Sequence, residues 1–188
     1  MRESIHREPA GVADIARHYI RDVVYGANDG IITTFAVVAG VTGGALSSKA
    51  ILIVGIANLF ADGLSMGVGN YLGIRSHESA RAALNLPEEE ASPARHGLAT
   101  FLAFAIAGAL PLLPYVFSAP AELRFGLSVS FTLVALFVVG SLRSLVTVER
   151  WTRAGIEMLL LGAVVAAAAY GSGALAAWVL ADPAASAR

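Results

Sequence analysis

The chain has 188 residues, 56% hydrophobic and 14% charged, with a mean hydropathy of +0.68 and a formal net charge of -1. So apolar a chain cannot cover a water-soluble domain with polar surface, and without a Lys/Arg-rich run it lacks the electrostatic footprint of a nucleic-acid binder. It contains no cysteine, which excludes disulfides, iron–sulfur clusters, thiolate zinc sites and cysteine nucleophiles.

Residues 1–21 contain no apolar run of the length a cleavable signal peptide needs, so the N-terminus is expected to be retained. From Val12 the apolar positions Val12, Ile15, Ala16, Tyr19, Ile20, Val23 and Val24 recur at helical spacing, opposite Asp14, Arg17, His18, Arg21 and Asp22. The pattern predicts an amphipathic helix lying at the membrane interface, with residues 1–25 a segment of their own.

A bilayer core of roughly 30 Å needs about 20 mostly apolar residues per helix. Five segments qualify: 26–46, 50–74, 97–117, 125–142 and 156–181. The expected fold class is therefore an all-α membrane protein with five transmembrane helices in one domain, residues 26–181, and a C-terminal tail, 182–188. Residues 75–96 mix charge with Pro87 and Pro93 and read as an aqueous loop, in which Glu88, Glu89 and Glu90 form a solvated charge run. Pro111 and Pro114 are expected to kink or end the third helix. Gly40, Gly43, Gly44, Gly162, Gly171, Gly173 and the run Ala166 to Ala169 permit close helix contact. Glu157 and Met158 open the fifth segment beside Arg153, where a carboxylate paired with arginine competes with a metal ligand. Ten of the 13 Lys and Arg residues fall in 1–25, 75–96 and 143–153, the other three being Lys49, Arg124 and Arg188. That bias predicts a cytoplasmic N-terminus and a C-terminus on the opposite side.

An aspartate near the bilayer centre costs about 2.5–3.5 kcal/mol on insertion scales, so Asp62 requires a compensating partner or a use. Asn58, Asp62, Ser65, Met66 and Gly69 share one helical face of the second segment, with Asn70 beside it. In the first segment Asp29 shares a face with Thr33, Ala36 and Gly40. A turn at Ser47 to Lys49 predicts that residues whose numbers sum to about 97 lie at one depth, which offsets Asp29 from Asp62 by about 9 Å as successive stations. Carboxylate and amide oxygens with a thioether suit a borderline ion such as Mn2+ or Fe2+ better than Mg2+ or Ca2+. The candidate metal residues are Asp29, Met66, Asp62, Asn70 and Asn58, with Asp22 and His18 gathering cations at the entrance. Carboxylates also bind protons, so metal and protons compete. The competing structural roles are an N-cap for Asp29 on a helix starting at Gly30, an Asn or Thr partner for Asp62, packing for Met66, and ordinary exposed charge for Asp22 and His18.

The segments DVVYGANDGIITTFAVVAG and ANLFADGLSMGVGNYLGIRS, with the later IEMLLLGAVVAAAAYGSG, resemble the VIT family of vacuolar iron and manganese transporters from about Arg21 to Gly173. The resemblance implies a homodimer in the membrane lipid whose metal path is lined by the first two helices, and proton-coupled export of Fe2+ or Mn2+ from the cytosol. The metal is cargo and no cofactor is expected. The membrane would be the plasma membrane of a bacterium or the vacuolar membrane of a eukaryote. By position Asp29 corresponds to the path's carboxylate, Met66 to its sulfur ligand and Asp22 to an acidic position nearer the entrance. Many members carry Glu where Asn70 stands, some carry an acid at Asn58, and the charge of Asp62 is often absent. Iron-transporting members insert a long Glu- and Met-rich domain between helices two and three. Here the connection spans only residues 75–96, with Glu78 and Glu88 to Glu90. Two other classes compete with a transporter: an intramembrane aspartyl protease, disfavoured by the predicted offset and the lack of a Gly-x-Gly-Asp run, and a non-transporting scaffold.

Overall fold

The computed structural model describes residues 4–7, 9–117, 119–145 and 149–181; the tail 182–188 lies outside the described residues. Helix α1 runs Val12–Gly43, α2 Ser48–Ala83 and α3 Pro93–Gly108. A 3-10 turn, Leu110–Leu112, and a short α4, Leu113–Val116, complete the third span before α5, Ala121–Leu142, and α6, Trp151–Ala181. Among the described residues five helical stretches are long and apolar enough to cross a membrane. The fold is the expected all-α membrane bundle, and its exposed large side chains, such as Ile53, Phe60 and Leu64 on α2 and Leu160 and Val164 on α6, suit contact with lipid.

Two boundaries differ from the sequence reading. The amphipathic stretch is not a separate helix: it continues unbroken into the first span as the N-terminal turns of α1. No proline interrupts it, and Gly26 faces the backbone of α3, where an added Cβ would lie 2.4 Å from the Thr100 carbonyl oxygen. Likewise α2 continues to Ala83 rather than ending at Ile74. Hydropathy falls at Arg75, but helix propensity does not, since Arg, Glu and Ala favour helix in water as well as in lipid. The helix stops where Asn85 takes φ 56, with Asn85 N–H donating to the Ala82 carbonyl at 3.0 Å and Leu86 N–H to that of Arg81 at 3.0 Å, a Schellman stop. The end of α1 repeats the pattern around Ala45, φ 53.

Helix α1 is the centre of the bundle and packs more extensively on α3 and α6 than on α2. Its seam with α3 needs bare backbone, since a Cβ on Gly30 would meet the Phe104 carbonyl oxygen at 2.3 Å. At the other end Gly173 of α6 meets Gly40 of α1, where a Cβ would approach the carbonyl oxygen at 2.0 Å. Gly171, expected to pack, has nothing within 4 Å of an added Cβ. Pro111 and Pro114 break the third span as expected, and the buried Ser128 hydroxyl donates to the Pro111 carbonyl at 2.7 Å. Core packing falls to Phe35, Val38, Ile51, Leu112 and Tyr115, and to a second cluster of Ile31, Ala135, Leu136 and Met158. Glu157 makes its pair with Arg153 at 3.3 Å and a second with Arg143 at 3.2 Å.

Candidate metal site at one end of the bundle

The N-terminal half of α1, the C-terminal half of α2, the start of α3 and the residues 84–92 between α2 and α3 meet at one end of the bundle. Asp22 is 2% exposed, so its charge must be matched by partners. Its Oδ1 accepts from Asn70 Nδ2 at 2.9 Å, its Oδ2 contacts His96 Nδ1 at 2.5 Å, and Arg21 Nη2 lies 3.7 Å from Oδ1. Asn70 Nδ2 also donates to the Thr100 hydroxyl at 2.8 Å, so one amide group ties α1, α2 and α3 together. The opposite ring nitrogen of His96, Nε2, lies 3.0 Å from Glu90 Oε2, and His18 Nε2 lies 3.3 Å from the same oxygen. His6 Nδ1 lies 3.5 Å from the other oxygen, Oε1. The His96 ring packs against Tyr19 and His18 with centroids 4.8 and 4.9 Å away, which fixes its plane.

Glu90 is not the solvated charge that its loop suggested. Glu78, buried on the last turns of α2, accepts from the backbone N–H groups of Glu89 and Glu90 at 3.1 and 3.0 Å. Arg81 donates to the Pro87 carbonyl at 2.9 Å and pairs with Glu89 at 3.1 Å. Ile5 N–H donates to the Glu88 carbonyl at 2.8 Å, which lays residues 4–7 along the loop. Burial pushes the Glu90 carboxyl upward, but the Ser92 N–H bond and the neighbouring His96 and His6 outweigh it and hold the group below the usual range. Polar side chains and backbone donors thus turn a charge run into part of the tertiary structure.

Beneath this cluster lies a cavity of about 870 Å³, lined by His18, Asp22, Met66, Asn70, Glu90 and His96 among others. Four predicted residues, His18, Asp22, Met66 and Asn70, are brought together there, while Asp29, Asp62 and Asn58 are not among its lining. The structure also revises the register of α1 against α2. The turn occupies Gly44 to Ser47, earlier than expected, with Ser47 capping α2 through Ala50 N–H at 3.3 Å. The Asp22–Asn70 bond fixes the new alignment, in which partner numbers sum to about 92 rather than 97. By that register Asp29 and Asp62 lie level with one another instead of 9 Å apart. Asp29 stands in the middle of α1 and so caps no helix. Asn58 Nδ2 is buried without a hydrogen-bond partner, and Asn58, Asp62 and Met66 are half-buried.

His96, His6 and Thr100 escaped the sequence reading, which named Glu78 and Glu90 only as charges of the connecting loop. One signal was available: the chain has 4 histidines, and all of them fall in 1–25 and 75–96, segments that the charge bias places on one side.

Fold and site together define a multi-pass membrane protein with a polar, histidine- and carboxylate-lined cavity at one end of its helix bundle. The chain belongs to the VIT family, whose model matches residues 20–86 and 80–174. Vacuolar iron transporter 1 of Oryza sativa subsp. japonica is 27% identical over 209 residues, covering 81% of this chain and 83% of that protein. Vacuolar iron transporter 1 of Arabidopsis thaliana is 27% identical, covering 82% and 85%. Vacuolar iron transporter homolog 5 of Oryza sativa subsp. japonica is 32% identical over 146 residues, 70% of each chain. Transporter relatives weigh against the protease alternative, whose remaining obstacle in the sequence is the missing Gly-x-Gly-Asp run, since the offset between the carboxylates is gone.

Proposed function

We propose that this protein carries a divalent transition-metal ion across the membrane between α1 and α2, passing from the cavity at Asp22, Met66 and Asn70 to the level pair Asp29 and Asp62. The observation that carries the reading is the continuity of donors: a thioether and amide in the cavity, then two carboxylates at one depth inside an apolar bundle. The relatives' names favour iron, and the oxygen-plus-thioether donor set accepts Fe2+ and Mn2+ while disfavouring Mg2+ and Ca2+. The Lys/Arg bias supports a cytoplasmic cavity and export from the cytosol. Exchange with protons follows from the competition of metal and proton for the same carboxylates. A homodimer is supported by the half-burial of Asn58, Asp62 and Met66 on α2, polar groups that a second copy would cover.

The test is uptake into proteoliposomes with Fe2+, Mn2+ and Zn2+ across an imposed pH step. Metal-dependent proton movement with wild-type protein is the expected result. Uptake unaffected by Asp29→Ala and Met66→Ala together would remove the path assigned to α1 and α2.

A further inference from the structure

We propose that His18, Glu90 and His96 form a loading site for a borderline divalent transition-metal ion at the polar end of the cavity, ahead of Met66 and Asn70. The site deepens the transport reading and rests on it only for where the ion goes next.

One donor atom from each of the three residues lies within 4.8 Å of the others. The two imidazole–carboxylate separations are 3.0 and 3.3 Å. An ion bonded to donors at about 2.0–2.1 Å places neighbouring donors about 3.0 Å apart at a right angle and about 3.4 Å apart at a tetrahedral angle. The two imidazole–carboxylate separations therefore already match a shared ion, with the third donor pair within 4.8 Å.

Direction agrees with spacing. The Nε2 atoms of His18 and His96 are buried and make no hydrogen bond, although each lies close to Glu90 Oε2. A plain imidazolium–carboxylate pair would aim its N–H at the oxygen; here neither ring does. The supporting shell has the form usual for metal-bound histidine, in which a carboxylate takes the ring's other nitrogen and orients it. Asp22 does this for His96, contacting Nδ1 at 2.5 Å, and is therefore a positioning residue. Glu90 is held from behind by Ser92 N–H, which donates to Oε1 at 2.8 Å.

The donor set names the cargo class. Two imidazole nitrogens and one carboxylate favour Fe2+, Co2+ or Zn2+ over Mg2+ and Ca2+, which demand oxygen shells. Three protein donors leave coordination positions open, where a structural site closes with four. An ion held this way can exchange, and the cavity beside it extends to Met66 and Asn70.

The full chain, purified in detergent, is titrated with Co2+ and followed by its visible absorption. The wild type is expected to show a bound-cobalt band that Zn2+ displaces and about a thousandfold excess of Mg2+ does not. The pair His18→Gln and Glu90→Gln should abolish the band. Glutamine at 90 keeps an oxygen for Ser92 N–H, and an unchanged metal-free thermal midpoint separates lost ligation from lost folding. Asp22→Asn should weaken Co2+ about 10–100-fold at unchanged stoichiometry. A wild-type band and stoichiometry in the double variant would overturn the proposal and leave an ion-pair network. Asp29→Ala should keep the band while it loses uptake, and a wild-type band that depends on His18 and Glu90, in wild-type protein that carries no metal into proteoliposomes, sinks transport but keeps this site. Uptake by wild type with no such band sinks this site alone.

Discussion

The two ends of the bundle are built by different means. At the polar end α1, α2, α3 and the residues 84–92 are joined by side chains: Asp22, Asn70, Thr100, Glu78, Arg81, Glu90 and His96. At the opposite end the main contact is backbone on backbone, with Gly43 against Tyr170 and Gly173 against Gly40, and Arg124 donates to Ser48 Oγ at 3.2 Å and to the Ala119 carbonyl at 2.6 Å. Close glycine contacts occur at the polar end too, Gly26 against Thr100 and Gly97 against Gly67, but there the side-chain network and residues 84–92 enclose a cavity beside them. The contrast separates the end that encloses a polar cavity from the end that closes by packing.

If the distant end depends on bare backbone, Gly173→Val should be the most damaging change available. Its Cβ would lie 2.0 Å from a carbonyl oxygen, and the loss should reach roughly 4 kcal/mol or more, read as a vanished monodisperse peak on size exclusion. Glu78→Gln, at the polar end, should still give that peak; if both variants collapse alike, the contrast is broken. Between the ends, Asp29→Ala should lower metal uptake by more than roughly a hundredfold, beyond the cost of losing a mere supporting residue, with folding intact by circular dichroism. Asn70→Ala should cost about 2 kcal/mol, because Asp22 and Thr100 lose a buried donor; a thermal midpoint equal to wild type would show that Asn70 is not the clamp described. Ala45→Gly should stabilise by about 1 kcal/mol, since φ 53 suits glycine. A raised midpoint would confirm that the far turn carries backbone strain at Ala45.

The five spans were legible because apolar length is a direct signature of a bilayer crossing. The helix ends were not, because α2 continues past Arg75 on residues that are polar yet helix-forming, a continuation that hydropathy does not register. Asp29, Asp62 and Met66 stood out as polar residues in apolar runs. Their depth was misjudged by one short turn: placing it at Ser47 rather than from Gly44 moved the carboxylates out of line. The cluster around Glu90 was hidden for a different reason. Its members come from α1, α3 and the connection between α2 and α3, and each alone looks like ordinary surface charge.

Glu78 gives the α2 extension a mechanical meaning. Its carboxylate grips the backbone of Glu89 and Glu90, while the Glu90 side chain points at imidazoles on α1 and α3. A tilt of α2 therefore drags one jaw of a three-part grip away from the other two. The position of the Glu90 carboxylate is thus set through a short lever of helix that continues past the apolar stretch ending at Ile74.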